Sequence, residues 1–457
     1  MNIRQWIAPL LFLFALVQLA AFFVSGGFAD ALVSGLALAI VALMIAVVRG
    51  AVRRTSVLLL MAGAAMLAAG GAGIGELAEA LRFYGNLATL LLLAPLLSLP
   101  VRQGGFDRAM KVLLDRVGRK PAGYASIATG LSFFTSIFLH VGSLALIHSL
   151  TGHGEGKRAR VQCLSLSRGF TSAMLVSPYS VAVAMIVSNF GLGLFEFFSV
   201  TVFMVFIFVG LHLAECYWLA RGNESDGETA APPAGEELPD GRTAGRRLAV
   251  LALALVLLIG TLLMAESLTN YPMVTLVCVL SLAVPVIGFA AMGRLNRLWP
   301  AFREHYWSAR LPEMGKEIFL TLSAGFFGYA IQQSGAAGRL AEWAAAGNIH
   351  VGLAALILIH LFMLAFALIG FHPVVIATVL ISLLSSDSFG LPPMAAPAAL
   401  SASWSLATVF SPFSATSIIL GGIFRKSPAE ISLVWNWRYT ALTLAAVVLF
   451  EYLYFFL

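Results

Sequence analysis

The sequence predicts an all-α polytopic membrane protein, with about eleven membrane-spanning helices plus two re-entrant hairpins arranged as inverted-topology repeats. Three observations carry that prediction. Hydrophobic residues make up 60% of the 457 residues and charged ones only 11%, with a mean hydropathy of +0.92, a balance that excludes a soluble domain. The apolar runs are continuous for about twenty residues, as spanning helices require, where barrel strands would alternate over about ten. Finally, Ser177-Pro178-Tyr179-Ser180 and Ser411-Pro412-Phe413-Ser414 each interrupt such a run. A proline there frees backbone polar groups that the bilayer cannot satisfy.

Residues 1–28 hold an extra helix, 6–24, read as retained because it is too long for the core of a signal peptide and leads into another span. A first repeat, 29–220, opens with spans 29–48, 56–75 and 83–99. Between the first two lie Arg49, Arg53 and Arg54, and between the next two Glu76, Glu79 and Arg82, so the positive-inside rule places the N-terminus in the cytoplasm. Residues 102–120 interleave six basic side chains with apolar ones, as expected of a helix on the cytoplasmic surface. The run 122–151 is basic at both ends, which a hairpin entering and leaving on one side accommodates, its tip near 138–143. The next run, 163–190, crosses outward and is broken at Ser177 to Ser180, and 192–213 returns.

The hydrophilic stretch 221–247 reads as a cytoplasmic linker. A second repeat, 248–457, follows with spans 248–264, 273–292 and 318–334, a surface stretch 294–316, a short amphipathic piece 339–350, a hairpin 351–386, a broken helix 394–423 and a last span 433–457 ending outside. Both repeats share one register. His140 falls opposite His372 at the two hairpin tips, Ser167 opposite Ser401, Phe170 opposite Trp404 and Thr171 opposite Ser405, just before the two Ser-Pro breaks. Paired discontinuous helices in oppositely directed halves point to a solute site near the midplane.

With these elements in place, the chain resembles the ion transporter superfamily, which includes the divalent anion:sodium symporters, the arsenite permeases and the large subunits of tripartite periplasmic-binding-protein-dependent transporters. The likeness is one of architecture. In the symporters the tips and breaks carry Ser-Asn-Thr, whereas here the tips read His140-Val141-Gly142-Ser143 and His372-Pro373. The resemblance implies an elevator mechanism, in which hairpins and broken helices move together, and a homodimer held by the other helices.

Ser177, Ser180, Ser411, Ser414, Thr416 and Ser417 surround the freed carbonyls, an all-oxygen setting suited to Na⁺ or to a hydrogen-bonded solute, unless they only cap their own backbone. His140 and His372, with Ser143 beside the first, are candidates for solute binding or for carrying a coupling proton, the alternative being neutral imidazoles bonded within their hairpins. Arg168 either attracts an anion or snorkels to the cytoplasmic headgroups. His148, His212 and His360 lack repeat partners and read as structural. Neither hairpin nor broken helix holds an Asp or Glu, which argues against a carboxylate relay and a cationic substrate, while half-helix N-termini favour anions.

These readings predict a secondary transporter of a small anionic solute in the inner membrane, coupled to Na⁺ or H⁺. The alternatives are a neutral polar solute, a lipid-linked substrate carried by a flippase, or a membrane-embedded enzyme, for which no catalytic constellation is found. No cofactor is expected beyond Na⁺ as a candidate coupling ion, and the partners expected are the small molecule, the lipid bilayer and a second copy of the chain. The net charge of +6 is accounted for by basic cytoplasmic loops, so no nucleic acid is expected. Cys163, Cys216 and Cys278 lie apart with no metal or disulfide spacing and read as small core residues.

Overall fold

A computed structural model describes residues 3–24, 26–117, 121–151, 156–220, 240–346, 352–384 and 391–457. Every regular element among the described residues is helical. Among the described residues, seven helical segments are long and apolar enough to cross a membrane. Most of the expected linker, residues 221–239, lies outside the described residues.

The chain opens with α1 (Ile7–Phe23), α2 (Gly27–Val47) and α3 (Ala51–Ala69). Next come α4 (Ile74–Arg82), α5 (Gly85–Leu93) and α6 (Ser98–Gln103), which together form one apolar segment, Ile74–Gln103. The expected turn at Glu76 and Glu79 is therefore the first helical stretch of that segment. Its strongly one-sided pattern explains the difference: Ala80 is buried while Glu76 and Glu79 face out, and Arg82 pairs with Asp30 of α2.

The amphipathic α7 (Phe106–Val117) packs Ala109 and Val112 against Ala244 and Leu248 of α13 (Gly241–Thr269). Between these two lie α8 (Pro121–Leu139), α9 (Gly142–Thr151), α10 (Gly156–Ala173), α11 (Val181–Phe190) and α12 (Leu194–Ala220). After α13 the chain continues through α14 (Met273–Ala291), the short α15 (Leu298–Ala301), a π-helical stretch Phe302–Arg310, α16 (Leu311–Glu313), α17 (Gly315–Gln333) and α18 (Ala336–Ala346). It ends with α19 (Gly352–Leu368), α20 (Pro373–Leu384), α21 (Ala395–Phe410), α22 (Ala415–Phe424), a second π-helical stretch Glu430–Trp435 and α23 (Trp437–Phe455).

Both expected hairpins are helix–turn–helix units with a longer first arm: α8 and α9 turn at His140, α19 and α20 at 369–372. His140 has φ 49° and Gly370 has φ 95°, so each turn passes through the left-handed region. Both expected helix interruptions are also present, between α10 and α11 and between α21 and α22.

The hairpins and broken helices pack into one core. The first segment of each broken helix lies along the long arm of its own hairpin, α10 on α8 and α21 on α19. The two first segments touch each other, and each second segment packs on the short arm of the opposite hairpin, α11 on α20 and α22 on α9. His148 of α9, 4.9 Å from Phe424, marks the last of these contacts. Gly169 explains how closely α10 approaches α8, because a Cβ there would meet the Thr129 carbonyl at 2.6 Å. Helices α1, α2, α3, α5, α14 and α17 pack among themselves on the flank of this core.

Candidate functional site

The four interrupted elements meet through particular side chains. At the first hairpin, the His140 ring stands edge-on to Phe170 of α10 with centroids 5.4 Å apart, while the Ser143 hydroxyl donates to the His140 carbonyl at 2.8 Å and touches Ser136 Oγ at 2.8 Å. At the second, Ser411 Oγ donates to the Ala367 carbonyl at 2.6 Å, and the Phe413 ring lies against Gly370. The second break is thus docked on the tip of its hairpin, while the first tip rests on α10 three residues before that helix ends. Both tip histidines are exposed at the protein surface. His372 Nδ1 accepts from the Val374 backbone N–H at 3.2 Å, which leaves Nε2 as the protonated nitrogen of the neutral ring.

The hydroxyls expected to form the site divide into two groups. Ser414 Oγ accepts from the Ser417 backbone N–H at 3.1 Å and donates to Ser417 Oγ at 3.0 Å, capping α22 as a helix N-terminus commonly is capped. Ser180, at the matching position before α11, makes no such cap. Its Oγ, together with Tyr179 Oη, Thr416 Oγ1 and Ser401 Oγ, is buried without a hydrogen-bond partner among the described residues. Buried, unbonded hydroxyls are uncommon and ask for an explanation. Ser177 is also buried, and the Ser180 backbone N–H donates to its carbonyl at 3.0 Å.

Arg168 departs from both expectations placed on it. It is fully buried, so its guanidinium does not snorkel, and its donors are spent within the protein. Nε donates to Asn436 Oδ1 at 2.8 Å, Nη1 to Glu215 Oε2 at 2.7 Å and Nη2 to the Trp435 carbonyl at 3.4 Å, and the group lies 4.0 Å from the Tyr439 ring centroid. The π-helical stretch before Asn436 aims these acceptors, since Asn436 Nδ2 closes back on the Ile431 carbonyl at 2.8 Å. His212 Nδ1 lies 3.3 Å from Arg168 Nη1, and a guanidinium can only donate. His212 therefore carries its proton on Nε2, 2.8 Å from Thr129 Oγ1.

A second buried cluster was missed in the sequence. His360 of α19 places Nε2 3.0 Å from Glu451 Oε2 of α23 and Nδ1 2.6 Å from Ser403 Oγ of α21, which in turn donates to the Ala399 carbonyl at 2.6 Å. All three side chains are fully buried. The absence of Asp and Glu from the hairpins and broken helices therefore does not keep carboxylates away from them, because Glu215 and Glu451 reach in from α12 and α23. The signal was available: a lone carboxylate within an apolar span is a functional candidate in itself.

Two crevices lie away from the breaks, one of about 310 Å³ beside Asp30, Glu79 and Arg82, the other an apolar one of about 730 Å³ between Phe12, Trp299 and Trp307. Among the described residues no group of His, Cys, Asp and Glu has the arrangement of a metal site.

No protein-family model matches the chain. No curated protein matches it in sequence. Among solved structures, the fold is similar to the crystal structure of the Alcanivorax borkumensis YdaH transporter, described as revealing an unusual topology, with a TM-score of 0.50 and 18% identity over 82% of this chain and 87% of that one. The chain shares its fold with that structure. At that identity the likeness concerns the fold alone.

Proposed function

We propose that the protein is a secondary transporter that moves a small anionic solute, coupled to Na⁺ or H⁺, by elevator-like alternating access. One observation carries this reading: both Ser-Pro breaks bring buried hydroxyls with no hydrogen-bond partner among the described residues, Tyr179 and Ser180 at one and Thr416 at the other, and the second break is docked on its hairpin tip. Such hydroxyls are suited to a solute or a dehydrated Na⁺, whose ligands are oxygens. The N-termini of α9, α11 and α22 add partial positive charge, and the Arg102 guanidinium stands beside the first, its Nη2 3.6 Å from where a Gly142 Cβ would lie. This favours an anion over a neutral solute.

In this reading the hairpins α8–α9 and α19–α20 are re-entrant, repeats 29–220 and 248–457 are related by inversion, and about eleven helices cross the inner membrane with the N-terminus cytoplasmic and the C-terminus outside. A homodimer would be held by the flanking helices, and the chain would belong to the ion transporter superfamily. The test is reconstitution in proteoliposomes with [14C]succinate and [35S]sulfate as probes. Saturable uptake driven by an imposed Na⁺ or H⁺ gradient is expected, and exchange should be lost when Ser177 and Ser411 are replaced together by alanine. Uptake indifferent to both gradients would remove the coupling, and unchanged exchange by the double variant would remove the site.

A further inference from the structure

We infer that His360, Glu451 and Ser403 form a proton-binding site, the one through which transport is coupled to H⁺. The coupling half of this statement rests on the transporter reading above; the proton-binding half stands on the geometry. The three groups come from three separate helices, the hairpin arm α19, the broken-helix segment α21 and the last helix α23, and none is exposed. Glu451 falls on the buried stripe of α23 with Tyr439, Thr443 and Val447, while Leu442, Leu449 and Leu453 face out. Burying a carboxylate there costs free energy unless a partner meets it.

The hydrogen bonds serve two protonation states without moving a heavy atom. When His360 carries a proton on both nitrogens, Nε2–H donates to Glu451 Oε2 and Nδ1–H donates to Ser403 Oγ, whose own proton goes to the Ala399 carbonyl. When Nδ1 gives up its proton, the Ser403 hydroxyl turns from Ala399 to donate to Nδ1. The imidazole keeps its Nε2–H toward Glu451. Loading thus changes the net charge of the cluster from −1 to 0, and one hydroxyl rotation keeps His360 satisfied either way. Glu451 Oε1 has no partner in the described structure and is the acceptor left over.

The surroundings do not neutralise the unloaded state. On α19 His360 is the only titratable side chain, and α21 carries none. On α23 the cation Arg438 lies beside Trp437 at the other end of the helix, with Tyr439 near it, and Tyr452 and Tyr454 face outward. Helix α12 meets α23 at this level through Phe203 against Phe450, 6.2 Å apart. Its Glu196 lies about two turns before that contact, and its His212, Glu215, Cys216 and Tyr217 lie beyond it. Arg168 of α10, which packs on α21, is held by Glu215. An unbalanced charge in such a place favours the loaded state for passage between the two faces.

The experiment has two arms on the full chain, each with Glu451→Gln and His360→Gln, two variants so that a folding defect in one does not decide the outcome. In nanodiscs, infrared difference spectra between acid and alkaline pH should show a carboxylate or imidazole band that both variants lose. A band that persists in both overturns the proton site. In proteoliposomes with [14C]succinate and [35S]sulfate and the membrane potential clamped at zero, a gradient of one pH unit should sustain about tenfold accumulation by the wild type for one proton per anion carried. Glu451→Gln should abolish that accumulation while counterflow of the same probe persists. Accumulation unchanged in Glu451→Gln, or wild-type counterflow that no pH gradient can drive, overturns the coupling. Absence of counterflow in the wild type would instead strike the transporter reading, and the spectra would still decide the proton site.

Discussion

Two buried polar clusters, one that ties Arg168 of the first half to Asn436, Trp435 and Tyr439 of the second and one that lies wholly within the second half, have opposite chemistry. Around Arg168 the cation is permanent, its carboxylate partner Glu215 is at hand, and Asn436, Trp435, Tyr439 and His212 complete the shell. Around His360 the cation exists only when a proton is bound. An arginine stays charged at any pH a cell meets, so the first cluster fixes geometry. The bonds of His360 can be satisfied with one proton or two on its ring, which is what the proposed proton site requires of the second. The difference teaches that two hairpin and broken-helix units of like architecture can be tied by a permanent cation at one and by a neutral or protonated imidazole at the other.

Breaking the first cluster should have the largest effect. Arg168→Met leaves Glu215, Asn436 and His212 without their donor and is expected to cost about 3–5 kcal/mol, seen as a sharp loss of thermal stability in detergent. Stability close to wild type would mean the cluster does not hold the bundle. Glu451→Leu strips one bond from His360 but leaves Ser403 on the other nitrogen, so about 1–3 kcal/mol is expected, and Glu451→Gln should cost less. Gly370→Ala places a side chain at φ 95° against Phe413 and should cost about 1–2 kcal/mol by the same unfolding measurement.

The smallest effects sharpen the comparison between the two breaks. Ser414→Ala removes a helix cap and should lose about 1 kcal/mol. Ser180→Ala removes a hydroxyl that bonds to nothing and should leave stability unchanged while weakening exchange of the transported anion. Equal losses of stability at both positions would mean that Ser180, too, is only a cap.

Much of this arrangement was legible in the sequence because proline and hydroxyl residues inside apolar runs are local signals. Ser177 to Ser180 and Ser411 to Ser414 marked the breaks, and His140 and His372 marked the turns, Ser411 and His140 one residue and Ser177 and His372 four residues after the preceding helix stops. What could not be read was pairing at a distance. Arg168 finds Asn436 only because a π-helical stretch turns that side chain inward, and Glu451 finds His360 only because its stripe on α23 faces α19. Nor does a run of serines say which hydroxyl is spent on its own backbone, as Ser414 is, and which is left over, as Ser180 is.

The most direct test of the account is a cryo-electron microscopy map of the full chain in nanodiscs with a saturating transported anion. The account predicts density between the Ser177–Ser180 and Ser411–Ser414 breaks, within hydrogen-bond reach of Ser180 and Thr416 and below the His140 and His372 tips. Density confined to the crevice beside Asp30, Glu79 and Arg82, with the breaks empty, would contradict it.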